Sequence, residues 1–112
     1  MTDYSQNQLV TDCLTDLGVA GVDQTVPASS YAFALRRLQS ELAMLEEKGE
    51  VDWDVTGDVP DTRYQAVLEY LATLIGPAHG VSVSPGVREA ARAKLISLAS
   101  DPYVSDEKVQ DY

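Results

Sequence analysis

The sequence predicts an all-α domain: a compact four-helix bundle with a short acidic loop or hairpin between its second and third helices and an extended C-terminal arm. Three observations carry that expectation. Apolar residues recur at three- and four-residue steps over four stretches, of which residues 28–48 and 62–80 are the longest. Those stretches are bounded by residues that start and stop helices. The segment between the two long stretches, residues 50–60, instead alternates acidic and apolar residues around the sole tryptophan, Trp53.

The first helix should begin at Ser5. Ser-Gln-Asn-Gln there reads as a capping box, because the Ser5 hydroxyl and the Gln8 side chain can satisfy exposed backbone amides reciprocally. Leu9, Val10, Cys13, Leu14 and Leu17 then form its buried face, and Gly18 is its stop, since a left-handed terminal residue costs glycine least. Residues 18–27, with Gly18, Gly21 and Pro27, read as a loop that Val19, Val22 and Val26 pin to the core.

The second helix should run over residues 28–48 and end at Gly49. Tyr31, Leu35, Leu38, Leu42 and Leu45 make one apolar stripe, with Arg36, Arg37, Glu41 and Glu47 opposite. In residues 50–60, Val51, Trp53 and Val55 would share one face of an extended segment, and Thr56-Gly57-Asp58 would supply a turn.

The third helix should follow Pro60, with Tyr64, Val67, Leu68, Leu71, Leu74, Ile75 and Ala78 at helical spacing. Pro77 removes a backbone donor and should kink it near its end, and Gly80 closes it. Ser84-Pro85 is a strong start signal for the fourth helix, whose face carries Val87, Ala90, Ala91, Lys94, Leu95 and Leu98. Pro102 ends the pattern, so residues 1–100 form the helical domain and residues 101–112 an acidic arm with apolar anchors at Tyr103, Val104, Val109 and Tyr112.

At 112 residues the chain is one domain, able to bury roughly 65% of its unfolded surface. One cysteine, no apolar leader and no membrane-length span lead to the expectation of a soluble protein made in a reducing compartment. The formal charge of −10 is uneven: residues 50–61 hold five acids and no base. Lacking a basic stripe, the chain should not grip nucleic acid. Its acidity suits a solvated surface, a basic partner, or a passage whose walls must not hold DNA.

Chemistry is hard to find. Asp52, Asp54, Thr56 and Gly57 match the opening of a calcium loop, yet the twelfth position, which should offer a bidentate glutamate, is Arg63. His79, beside Gly80, reads as a helix-terminal residue bonding a free carbonyl, and Cys13 as an inert core thiol without a CxxC partner. No nucleophile–base set stands out. The expectation is therefore a protein with no catalytic residues, metal or cofactor. Trp53 is either a plug fastening the acidic loop to the bundle or an aromatic anchor for a neighbour.

The order of these signals resembles the head-to-tail adaptor proteins of tailed bacteriophages, also called head-completion or tail accessory factors. It rests on a first helix ending in Leu-Gly-Val, a second closing with Glu-Glu-Lys-Gly, an acidic-aromatic loop, and Pro60 before a helix reading Ala-Val-Leu-Glu-Tyr-Leu-Ala-Thr-Leu-Ile-Gly-Pro-Ala-His-Gly. A Ser-Pro-initiated, Ala-rich helix follows. The resemblance covers residues 5–100. It implies a virion protein, made in the host cytoplasm, that assembles as a homo-oligomer, usually a dodecamer ring, beneath the portal protein. Such a ring extends the DNA channel, lets packaged double-stranded DNA pass without sequence-specific binding, and offers a platform for a tail, nozzle or terminator protein. By the same analogy Tyr103, Val104, Val109 and Tyr112 would dock on the portal, and Asp52, Trp53, Asp54 and Asp58 would face the channel or the tail. The alternative from a different class is a small acidic helical regulator, or DNA mimic, that binds a basic protein.

Overall fold

The computed structural model describes residues 3–21 and 24–100, with side chains to residue 98. It is an all-α four-helix bundle: α1 (Gln6–Asp16), α2 (Ala28–Glu47), α3 (Asp61–Ile75) and α4 (Pro85–Ser100), with a 3-10 turn over Gly76–His79. Two short strands, β1 (Asp3–Tyr4) and β2 (Val59–Pro60), pair antiparallel, Asp3 opposite Pro60 and Tyr4 opposite Val59. The C-terminal arm, with Tyr103, Val104, Val109 and Tyr112, and Val22 of the first loop lie outside the described residues.

Helix boundaries follow the local chemistry. The Ser5 hydroxyl accepts the Gln8 amide at 3.0 Å, but Gln8 does not complete the capping box, because its side-chain amide donates to Asp12 one turn on. At the other end Gly18, φ 80°, donates to the Thr15 carbonyl, and Val19 reaches back to Leu14. Gly49, φ 72°, repeats this at the end of α2: its amide meets Glu46, and that of Glu50 meets Leu45 at 2.8 Å. Both are Schellman ends, which need a left-handed residue and favour glycine.

The third helix stops at Ile75, earlier than the apolar spacing implies. Pro77 brings no amide to an α-helical ladder, so the chain tightens into the 3-10 turn over Gly76–His79 instead of kinking within one helix. The amides of Gly80 and Val81 then satisfy the Pro77 and Gly76 carbonyls. His79 is thus not needed as a cap; its ring meets Phe33 edge-on, centroids 6.4 Å apart.

α3 is the centre of the molecule. Its Val67, Leu71 and Ile75 are wholly buried, together with Leu9, Cys13 and Leu14 of α1 and Leu42 and Leu45 of α2. It touches all three other helices, whereas α4 packs mainly on α3. α3 is therefore buried beyond one stripe: Tyr70 and Thr73 are inside as well, the Thr73 hydroxyl donating to the Tyr70 carbonyl at 2.6 Å. The Tyr70 hydroxyl crosses to Glu41 of α2 at 2.9 Å, so Glu41 is not on a purely solvated face. Burial and this bond push the Tyr70 hydroxyl up to about 12.

α4 corrects the periodicity in the opposite direction. Only Ala91 and Leu95 of its expected face are fully covered, while Val87 is 48% exposed, and Ala90 and Lys94 are open too. A helix with one main neighbour has only a narrow strip to bury.

Candidate interaction surfaces

Residues 50–60 form an acidic loop pinned at several points, not a free-standing hairpin. Val55 and Val59 join the buried core, and Val51 and Trp53 pack half-buried against it. The strand partner of Val59–Pro60 is Asp3–Tyr4, more than fifty residues earlier in the sequence, not a second arm of the loop. The turn sits two residues earlier than the Thr-Gly-Asp signal suggests: the Gly57 amide donates to the Asp54 carbonyl at 3.1 Å. Asp54 organises it, its carboxylate accepting from the Thr56 hydroxyl at 2.7 Å and the Thr56 amide at 3.0 Å. Those two bonds, the hydroxyl's first, hold the Asp54 carboxyl below the ordinary carboxylate range. From α1, the Gln6 side-chain amide donates to the carbonyls of Val55 and Gly57.

The loop carboxylates thus have different standing. Asp54 is spent on the turn. Asp52 forms an ion pair with Arg63 at 2.8 Å, and the same guanidinium donates to the Leu98 carbonyl near the end of α4. Asp58 is exposed and makes no hydrogen bond or ion pair within the described residues. Trp53 packs as a plug, with its indole nitrogen buried. Asp52 and Arg63, the first and twelfth positions of the calcium-like pattern, meet as opposite charges, so a guanidinium stands at that carboxylate where the motif would put a metal.

Arg63 is the tie between loop and bundle, its side chain only 17% exposed. Replacing it with methionine should lower stability by about 1–2 kcal/mol, because the Leu98 carbonyl and Asp52 both lose a charged donor. Urea unfolding measures this, and hydrogen exchange should show faster opening of the last turn of α4. A variant as stable as the parent would mean that the tie contributes nothing.

A second surface was not legible in the pattern. Between α3, residues 80–84 and α4 lies an open groove of about 530 Å³, lined by Ala72, Val81, Val83, Val87 and Ala90, among others. Val81 and Val83 alternate with exposed Ser82 and Ser84. That Val-Ser-Val-Ser alternation was the one available signal, in a stretch that reads only as a link. Across the groove Lys94 of α4 meets Glu69 of α3 at 3.1 Å. The Glu69 carboxyl is held below its ordinary range by the Gln65 amide first and Lys94 second.

The remaining polar groups serve the frame. Tyr4 and Tyr64 rings lie 4.3 Å apart, and the Tyr64 hydroxyl donates to Asp12. Burial, then that bond, pushes the Tyr64 hydroxyl well up. Arg92 pairs with Glu50 at 2.9 Å. Cys13 is fully buried, its thiol pointing to the Leu68 carbonyl at 3.9 Å. Burial first, and the nearby Asp16 second, raise this thiol to about 12. Among the described residues no group of three His, Cys, Asp or Glu side chains could hold a metal ion, and no helix is long and apolar enough to cross a membrane. Set against protein-family models, curated proteins and solved structures, the chain matches none.

Proposed function

We propose that this chain is a structural head-to-tail connector of a tailed bacteriophage, assembling below the portal into a ring that prolongs the DNA channel and joins capsid to tail. The observation that carries the reading is the order and bounds of the elements. α1 closes on Leu17-Gly18-Val19 and α2 on Glu47-Lys48-Gly49; a pinned acidic loop around Trp53 leads through Pro60 into α3. A turn through Pro77 and Gly80 then precedes a helix that begins at Pro85. These are the signals on which the adaptor resemblance rests. In the ring, an acidic surface gives DNA a passage along which it slides without adhering. Residues 101–112 reach the portal through Tyr103, Val104, Val109 and Tyr112, and the loop bearing Asp52, Asp54 and Asp58 lies at the channel or the tail side.

The experiment is a mass measurement by light scattering, with and without a purified portal ring. A connector is captured by portal in many copies per ring. The competing reading, an acidic regulator that binds a basic protein, requires a monomer or dimer that ignores portal, and that result would remove the connector assignment. Replacing Asp58, the loop carboxylate free of internal bonds, by lysine should impair DNA retention or tail attachment. Full infectivity of Asp58→Lys phage would remove the loop from that role.

A further inference from the structure

The groove between α3 and α4 has apolar walls and calls for no charge. Its charged lining residues, Lys94 and Glu69, pair with each other at 3.1 Å, while Val87 stands 48% exposed at its edge. Along its rim Val81 and Val83 are half-buried and Ser82 and Ser84 exposed, the two-residue period of an extended segment. The amides of Ser82 and Val83 meet no acceptor among the described residues. An apolar trough beside unused rim amides suits an extended peptide, which brings both side chains and carbonyls. α4 delivers the chain to the same side. The Leu98 carbonyl, which the amide of residue 102 would take if the helix went on, accepts instead from Arg63, and residue 102 is a proline with no amide to give. Val87 and Lys94, seven residues apart, lie nearly on one line of the helix, and that line meets the helix end one step beyond Ser100.

We propose that residues 101–112 of the same chain turn back on leaving α4 and occupy this groove in the free protein, antiparallel to the helix, with Tyr103 and Val109 against its apolar walls. The reach fits. From Ser100 back to Pro85 is about 22 Å along the helix axis, and the twelve residues after Ser100 span up to about 40 Å when extended. Tyr103 and Val109, six residues apart, share one face of an extended strand and stand about 20 Å from each other, against about 15 Å along α4 between Lys94 and Ser84. The two anchors therefore bracket the groove. The tether sets an effective concentration on the order of millimolar, so even a weak contact is filled without a second molecule. In a connector, portal would compete with the groove for the same anchors; the contact itself belongs to the free chain and does not rest on that reading.

The test places a nitroxide on the full-length chain at Gln110→Cys and reads amide line widths by NMR. Cys13 is fully buried and stays unlabelled in the folded protein. The amides of Ser82, Val83, Val87 and Ala90 should broaden, while that of Asp52, tied through Arg63 to the far end of α4, should not. When the nitroxide-bearing chain is instead mixed with isotope-enriched chain that carries no label, no broadening should appear, because each arm serves its own groove. Two full-length variants check the contact from either side: Val87→Glu puts a charge in the groove, and Tyr103→Ser with Val109→Ser removes the anchors. Each should keep the helix content of the parent by circular dichroism, abolish the broadening, and speed exchange of the Ser82 and Val83 amides at least about tenfold. The proposal is overturned if the label leaves residues 81–90 sharp or if the broadening survives in either variant. It is equally overturned if the mixed sample broadens as the self-labelled one does, since the arm of a second copy would then be the occupant. A chain that shows the broadening yet ignores portal keeps this contact and loses the connector reading; capture by portal with no broadening does the opposite.

Discussion

Leu71→Ala is expected to destabilise the domain by about 3 kcal/mol and to lower its melting temperature by roughly 10–20 °C. Leu71 is wholly buried on α3, the helix that touches all the others, so the space left by its lost methyl groups would open in the shared core. Its neighbours sit on helices held by caps and ion pairs and can collapse only partly into that space. Val87→Ala, on the open side of α4, should change stability by less than about 0.5 kcal/mol. Thermal unfolding followed by circular dichroism compares the two. A Leu71→Ala melting curve overlying that of the parent would show that α3 is not the core the packing makes it.

Native Cys13 should react with a disulfide reagent at pH 8 about a thousandfold or more slowly than an exposed thiol. With its thiol raised to about 12, only about one molecule in ten thousand carries the reactive thiolate at that pH, and the sulfur is sealed between α1 and α3. Labelling should therefore track global opening and become fast in urea. Rapid modification of the folded chain would exclude this burial. The same shift sets a stability trend. A thiol whose folded pKa lies above its unfolded value supports the fold fully below the ordinary thiol range and loses that support as pH rises towards 12. Tyr70, raised from 10.0 to about 12, acts in the same direction. Stability should be insensitive to these groups below about pH 8.5 and fall progressively above it.

Much of the frame was written locally. Ser5, Gly18, Gly49 and the Ser84-Pro85 pair act on backbone groups within a turn of themselves, and each marks a boundary that the structure keeps, to within a residue or two, whereas Gly80 closes the 3-10 turn and not α3, which stops at Ile75. What escaped depends on neighbours. The apolar spacing of α4 says that one face is fit for burial, but not that α3 is the main helix there to cover it, so Val87 and Ala90 ended outside. On α3 the converse holds: Tyr70 and Thr73 look polar in sequence, yet Glu41 and a backbone carbonyl satisfy them inside. The loop shows the same division. Its carboxylates were visible as candidates, while the engagement of Asp52 by Arg63 and of Asp54 by Thr56, which leaves Asp58 as the unengaged one, is a matter of three-dimensional placement.

The pairing of Asp3–Tyr4 with Val59–Pro60 closes a span of more than fifty residues with a ladder only two residues long. So few bonds cannot offset the entropy of bringing such distant segments together, and the ladder forms only once α1 and α3 have docked. During synthesis Asp3–Tyr4 must therefore wait, unclasped, until β2 and the helix after it have left the ribosome. An extension fused ahead of Asp3 acts on this late-closing latch and, through β2, on the acidic loop beside it, before it can disturb any helix.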